Sequence, residues 1–403
     1  MELEIRPCTL EEYTDGLKPI WQFFGHVPDE DTLARFTPLL PPERLLAAWT
    51  NGVAVGGAGS FPFRLSVPGG ELDVGGVTVV GVSPTHRRRG VLSAMMRRLL
   101  NDTHERGEAV AALFASEGGI YGRFGFGLAA LMGEISLPRV HGALRGDPVP
   151  GAEVRFVTVD EARTLFPPIH EAVRKQRPGM PSRSEDWWRL RILDDPLWSR
   201  DGGGIKMYVV AELEGRPAGY AMYRHHQHFE HGSSIGRVQV VEAMGDEPAA
   251  TDALWRYLVG IDWVQHVTCD LLPVDHELQL KLVENRRMGF TIGDGLWIRI
   301  VDLAPALSAR SYAGDGEVVL QVQDGLCSWN DGRWRVSGGG CERTDAAADI
   351  SLPVDALGSV YLGGFTFADL IRARLAEELR PGAVARADAL FATSVKPWCP
   401  EIF

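Results

Sequence analysis

The sequence has no run approaching the ~20 consecutive apolar residues of a membrane span. Its N-terminus, MELEIRPCTLEEY, is acidic and lacks the apolar stretch of a secretory signal. A soluble, unprocessed protein is expected. Cysteine is scarce: Cys8, Cys269, Cys327, Cys341 and Cys399 are odd in number, widely spread and never in a C-x-x-C pair, which argues against both a disulfide framework and a zinc site. A reduced, cytoplasmic compartment follows. A basic excess is missing too. With 41 Lys and Arg against 53 Asp and Glu the net charge is −12, so a broad surface for nucleic acid or for a membrane is not expected, whereas a cationic partner would be attracted.

What is present is enough apolar material, 45% of 403 residues, for more than one core, since a single core rarely serves more than about 250 to 300 residues. Strands joined by hairpins are read in RLLAAWTNGVAVGGAGSFPFRLSV, and a buried strand in VTVVGVSP, stopped by Pro84. Leu92, Met95, Met96, Leu99 and Leu100 then repeat with helical spacing up to Gly107. The strand AVAALFAS, the turn EGGIYGRFGF and the strand LAALMGEISL follow. From about residue 140 to 302 the same order returns: a hairpin turning at Glu214 to Arg216, the strand GRVQVVEAM, the helix PAATDALWRYLVGID, the strand HVTCDLLP and the closing segment RRMGFTIGDGLWIRIVDL. RFGF at 123–126 and RMGF at 287–290 hold the same place in each copy, so an internal duplication is inferred. Beyond Ala304 a third, α+β unit is expected, with no obvious catalytic cluster.

The stretch SPTHRRRG, between strand and helix, carries Arg87, Arg88 and Arg89 before Gly90. A helix start offers unpaired N–H groups and the positive end of the helix dipole, and a glycine there lets an anion approach the backbone. Neither the P-loop pattern nor the Rossmann G-x-G-x-x-G is present. R-x-x-G after a V-x-V-x-P strand fits instead the pyrophosphate cradle of acyl-CoA N-acyltransferases; a solvated basic helix face is the plainer alternative. In the second copy the corresponding loop is GDEPAA, and Asp246 and Glu247 suit the helix dipole but repel a phosphate. Only the first copy is expected to hold the anion.

VVGVSPTHRRRGVL, FASEGGIYGRFGFG and the terminal phenylalanine together resemble the enhanced intracellular survival (Eis) family of GNAT-type aminoglycoside N-acetyltransferases. The resemblance implies an α/β (α+β) architecture: an acetyl-CoA-binding GNAT domain over 1–140, a degenerate GNAT-like domain over 141–302 and a sterol-carrier-protein-like domain over 303–403. It further implies a homohexamer and transfer of acetyl from acetyl-CoA to amines of aminoglycosides or lysine. Carried across, Val80, Gly81 and Val82 serve the pantetheine arm, and Arg87, Arg88, Arg89, Gly90, Val91, Leu92 and Ser93 the pyrophosphate. Ser116 and Glu117 lie beside the cofactor, Tyr121 is the general acid, and the α-carboxylate of Phe403 is the base. Leu92 departs from the Gly or Ala of many GNAT proteins and narrows the room near the phosphates.

The chemistry makes its own demands. An amine must lose a proton, and the departing thiolate, whose conjugate acid has a pKa of about 8.5, must gain one; a tyrosine near about 10 can supply it. A terminal carboxylate near about 3.5 is a weak base unless burial raises it, and burial beside Ile402 and Trp398 is expected. Direct attack in a ternary complex on a small cationic amine is the favoured reading. The alternative is a non-catalytic acyl-CoA or lipid binding protein using its C-terminal domain. His225, His226, His228 and His231 lack a nearby cysteine or carboxylate to complete a metal site, and no metal is expected. Asp29, Glu30 and Asp31 either attract a polyamine or form a solvated loop, and Trp21 and Phe24 are read as core.

Overall fold

The computed structural model describes residues 3–25, 27 and 29–403. The chain begins with β1 (Glu4–Pro7), α1 (Tyr13–Phe23), α2 (Glu30–Phe36), β2 (Leu45–Thr50), β3 (Val53–Val67) and β4 (Gly70–Val82). Then come α3 (Val91–Glu105), β5 (Val110–Phe114), α4 (Gly118–Tyr121) and β6 (Gly127–Leu128). The middle of the chain supplies β7 (Leu131–Pro138), β8 (Ala152–Phe156), α5 (Val159–Gln176), α6 (Glu185–Trp187), β9 (Met207–Leu213) and β10 (Arg216–His226). The short hairpin β11 (Phe229–Glu230) and β12 (Ser233–Ser234) precedes β13 (Arg237–Gly245), α7 (Pro248–Gly260), β14 (His266–Leu272), α8 (Leu278–Lys281), β15 (Thr291–Asp294) and β16 (Leu296–Ile300). The C-terminal part holds α9 (Leu303–Ser308), β17 (Glu317–Gln323), β18 (Gly332–Ser337), β19 (Gly340–Arg343) and β20 (Ile350–Pro353). It ends with α10 (Val354–Tyr361), α11 (Phe367–Arg372), β21 (Glu377–Glu378) and α12 (Ala383–Phe391).

Beside the two-stranded β11-β12 hairpin, the described residues form three larger sheets, in the orders β1-β2-β3-β4-β5-β16-β6, β15-β7-β14-β13-β10-β9-β8 and β19-β18-β17-β20-β21. The hairpin turns fall where turn chemistry puts them: Asn51 and Gly52 have φ of 51° and 75°, Glu214 and Gly215 of 50° and 81°, as a two-residue primed turn requires. The repeated RFGF and RMGF segments both form a 3₁₀ turn closed by a left-handed glycine, Gly125 and Gly289.

The two GNAT sheets exchange their last strands. The expected continuous strand at 128–137 breaks at Ala129 and Ala130, whose amides both donate to Leu296 O at 2.9 and 3.0 Å. As a result β7 pairs with β14 in the second sheet, while β16 pairs with β5 in the first. One compact unit therefore contains the residues up to 130 together with 295–394 and 402–403; the other contains 131–294 and 395–401.

In the first sheet, helices cover both faces because two adjacent glycines let them in. A Cβ on Gly57 would lie 2.0 Å from Gly16 O of α1, and one on Gly56 would lie 2.9 Å from Met95 Sδ of α3. Adjacent strand residues face opposite ways, so α1 and α3 sit on opposite sides of β3. The predicted α3 is present, with Val91, Met95, Met96, Leu99 and Leu100 buried.

Candidate active site

In β4 the pairing with β5 covers only Val74–Gly76 against Val110–Ala112. Beyond Gly76 the two strands splay, and the N–H and C=O groups on that edge of Val77–Val82 have no partner strand. On the other edge β4 carries a bulge: Gly57 pairs with Gly81 but Gly59 with Thr78, so two residues oppose one. Val79 sits at φ 48°, a conformation that costs a β-branched residue roughly 1 to 3 kcal/mol and that concentrates at functional sites. The bulge re-aims the residues that follow it. Gly81 cannot be larger, because its Cβ would lie 2.8 Å from Ile20 Cα of α1.

The arginine loop then turns through Arg88 at φ 60° to Gly90 at φ 81°, the N-cap of α3. No side chain caps this helix. The N–H groups of its first turn are thus available to an anion, with the helix dipole behind them. Arg87 is braced over the Phe23 ring at 4.8 Å, a cation–π contact that orders the guanidinium beside the loop.

The splayed strand, the loop and α4 together enclose a cavity of about 350 Å³. Val80, Gly81, Val82, Arg87, Arg88, Gly90, Val91, Leu92, Ser93, Ser116, Glu117 and Tyr121 all line it. Arg89 and Phe403 are not among its lining residues. The sequence reading missed Ile20, Phe23, Phe24, His86, Ile120 and Arg123, which also line it. Phe24 corrects the expectation of core: it is 58% exposed and Phe23 44%, the two rings meeting edge to face at 5.1 Å. An apolar pair at the end of a helix that buries Tyr13, Gly16, Leu17 and Pro19 was the available signal.

Tyr121 is 6% exposed. Burial raises its pKa, the Ser116 hydroxyl bonded to it acts in the opposite direction, and the Glu117 charge raises it again. The phenol therefore holds its proton more tightly than a free tyrosine does, which makes it a weaker acid than the unperturbed value suggests.

The Phe403 ring, 9% exposed, packs against Phe63 at 5.0 Å and Phe114 at 5.9 Å. A Cβ on Gly76 would lie 3.3 Å from Phe403 Cε2. The terminal residue thus lies where β4 and β5 begin to part, and Phe114 is two residues before Ser116. Of the two residues expected to bury the terminus, Ile402 is itself 55% exposed and Trp398 belongs to the other compact unit.

The remaining candidates are placed as follows. Asp29 caps α2, accepting from Thr32 N at 2.8 Å, and Glu30 and Asp31 are exposed. His226 Nε2 is 2.9 Å from Gln239 Oε1. Among the described residues no group of three or more His, Cys, Asp or Glu side chains could hold a metal, and no helix is long and apolar enough to cross a membrane.

Comparison with known proteins reads the same architecture. Acetyltransferase (GNAT) domain models match residues 4–129 and 179–300, and a sterol carrier protein domain matches 303–400. An uncharacterized N-acetyltransferase of Streptomyces avermitilis is 40% identical, with all of both chains covered. N-acetyltransferase Eis of Mycobacterium tuberculosis is 35% identical over 90% of this chain and 93% of its own. The chain belongs to the Eis family of GNAT-type N-acetyltransferases. The crystal structure of Eis1 from Mycobacterium abscessus superposes with a TM-score of 0.87 at 32% identity, covering 99% of this chain and 100% of that one. The chain is accordingly an acetyltransferase of two GNAT domains and a sterol-carrier-type domain, and the reading as a non-catalytic binder is set aside.

Proposed function

We propose that this Eis-family enzyme binds acetyl-CoA in the cavity beside β4 and transfers its acetyl group directly to an amine of a small cationic substrate such as an aminoglycoside, or to a lysine side chain. One observation carries the reading: the uncapped start of α3, the arginine loop, the splayed edge of β4 and Tyr121 all face one cavity. The residues suit the cofactor. Gly90 leaves open space where a side chain would stand, the loop and helix dipole match a pyrophosphate, and the apolar wall of Val80, Val82 and Leu92 matches an uncharged arm.

The cofactor supplies an activated acyl group as a thioester. The chain supplies the rest. The amides freed on the edge of β4 orient the arm and can donate to a carbonyl oxygen. Tyr121 Oη holds the proton destined for the sulfur, and the α-carboxylate of Phe403 takes one from the attacking amine while its charge attracts a cationic acceptor. Arg87 and Arg88 serve binding alone. The net charge of −12 favours encounter with polyamines, and the family resemblance implies a homohexamer, which light scattering checks.

The direct test is an acceptor screen with acetyl-CoA against kanamycin A, neomycin B, spermine and a lysine peptide, with CoA release and acetylated product both measured. Acetylation of at least one cationic amine is expected. Release of CoA without any acetylated product would overturn the assignment of a cationic amine acceptor.

A further inference from the structure

Residues 392–403 form neither helix nor strand, so no backbone ladder sets the course of the tail. One backbone bond and a set of side chains fix it instead. Trp398 N donates to Pro178 O at 2.9 Å and its indole N–H to Leu271 O of β14 at 2.9 Å. The amide of Lys396 donates to Asp275 Oδ2 at 3.1 Å. Closest to the terminus is an ion network: the Arg183 guanidinium, with 0% of its side chain exposed, donates to Glu401 Oε1 and, at 2.5 and 3.0 Å, to both oxygens of Glu242 on β13. The second Glu401 oxygen accepts from Trp187 Nε1. Tyr220 Oη donates to Glu242 at 2.5 Å, and Arg191 contributes a further positive charge toward Glu401.

A buried ion network of this kind is a poor source of stability, because desolvating each charge costs several kcal/mol and apolar replacements are often as stable. What it supplies is a single geometry. Only Ile402 separates Glu401 from Phe403, a link of at most about 7 Å, and the Phe403 ring is fixed in turn by Phe63 and Phe114. The terminal carboxylate is therefore held by a short link secured at both ends.

We propose that Arg183, through Glu401, is a positioning residue for the acetyl transfer, clasping the tail so that the chain ends with its carboxylate at a fixed place. The inference rests on the reading of that carboxylate as the base. An ångström of misplacement is enough to cost about 10²-fold in such a geometry, whereas acetyl-CoA binding, carried by other residues, is left alone.

The experiment measures kcat and KM of the full-length, untagged enzyme with the best acceptor of the screen, for the wild type and Glu401→Ala, Glu401→Gln, Ile402→Gly and a chain lacking Phe403. Glu401→Ala is expected to lower kcat about 10²-fold with KM for acetyl-CoA within about twofold. Glu401→Gln, whose single amide oxygen accepts from Arg183 or from Trp187 but not from both, recovers part of the loss. In the chain lacking Phe403, Glu401→Ala adds little further loss, because the α-carboxylate, now on Ile402, is already withdrawn by about one residue, roughly 3.5 Å; a merely structural effect would add. Should Glu401→Ala fail to fold, Ile402→Gly decides, since its exposed side chain can be removed safely and the loosened link is expected to lower kcat; an unchanged kcat overturns the clasp. Wild-type kcat in Glu401→Ala, alongside an inactive chain lacking Phe403, would overturn the clasp but leave the base assignment standing. Full activity without Phe403 would overturn the base assignment itself.

Discussion

In the N-terminal GNAT sheet β4 and β5 part beyond Gly76 and border a cavity; in the central GNAT sheet β13 and β14 part beyond Val240 and Cys269, and Trp398 bridges them. The parallel goes further. Each inner strand has a bulge just past the parting, at Val79–Val80 in β4 and at Val241 in β13, where Met222 pairs with Glu242 but Tyr223 with Val240. The two copies differ in what fills the opening and in what starts the next helix. Trp398, 4% exposed, shares a buried cluster with Met244 and Tyr220 and donates to Leu271 O. Gly90 opens α3, whereas Glu247 and Pro248 open α7, and Pro248 removes one of the N–H groups an anion would use. Asp246 and Glu247 are themselves engaged by Arg216. The same plan thus yields an open cavity where backbone is left unpaired and an anchor for the tail where it is covered.

Breaking the comparison at its most sensitive point means altering the chain end. Appending a glycine to Phe403 turns its carboxylate into an amide and is expected to reduce transfer by about 10³-fold, within the scale of a single general base, while acetyl-CoA still binds by calorimetry. Tyr121→Phe follows, with a kcat loss of roughly 10²-fold and near-normal stability, since only a hydroxyl is lost. Because burial holds the Tyr121 pKa above its ordinary value of about 10, the group stays protonated through that range; a fall in kcat with rising pH below about pH 10 must come from elsewhere and should persist in Tyr121→Phe. Arg88→Gly keeps the left-handed backbone and removes the charge, and is expected to raise KM for acetyl-CoA about tenfold with kcat nearly unchanged. Gly81→Ala drives a Cβ against Ile20 and should cost about 1 to 3 kcal/mol in thermal or urea unfolding.

Much of the site was legible because its signals are local. Helical spacing from Leu92 to Leu100, Gly90 after three arginines, and the glycines of EGGIYGRFGF each encode their own conformation. The strand exchange was not legible: LAALMGEISL says that a strand forms and not which sheet it joins. The left-handed Val79 contradicts its own propensity, so the bulge that shapes the cavity could be found only in three dimensions. Two apolar residues were misjudged for a similar reason, since Phe24 and Ile402 are apolar yet 58% and 55% exposed. Glu242 carried a faint signal, a carboxylate within the apolar strand GRVQVVEAM, because a charge in a buried strand demands a partner; its partner Arg183 lies 59 residues away in sequence.

The central claim is the asymmetry between the two GNAT copies, and it is tested most directly by isothermal titration of acetyl-CoA into the wild type and into a variant carrying Asp246→Ala and Glu247→Gly. One site per chain is predicted for both, because removing the carboxylates leaves Pro248 and the anchored tail in place. Two sites per chain in the wild type would contradict the account, and a second site appearing in the variant would show that charge alone, and not the tail, keeps the central copy closed.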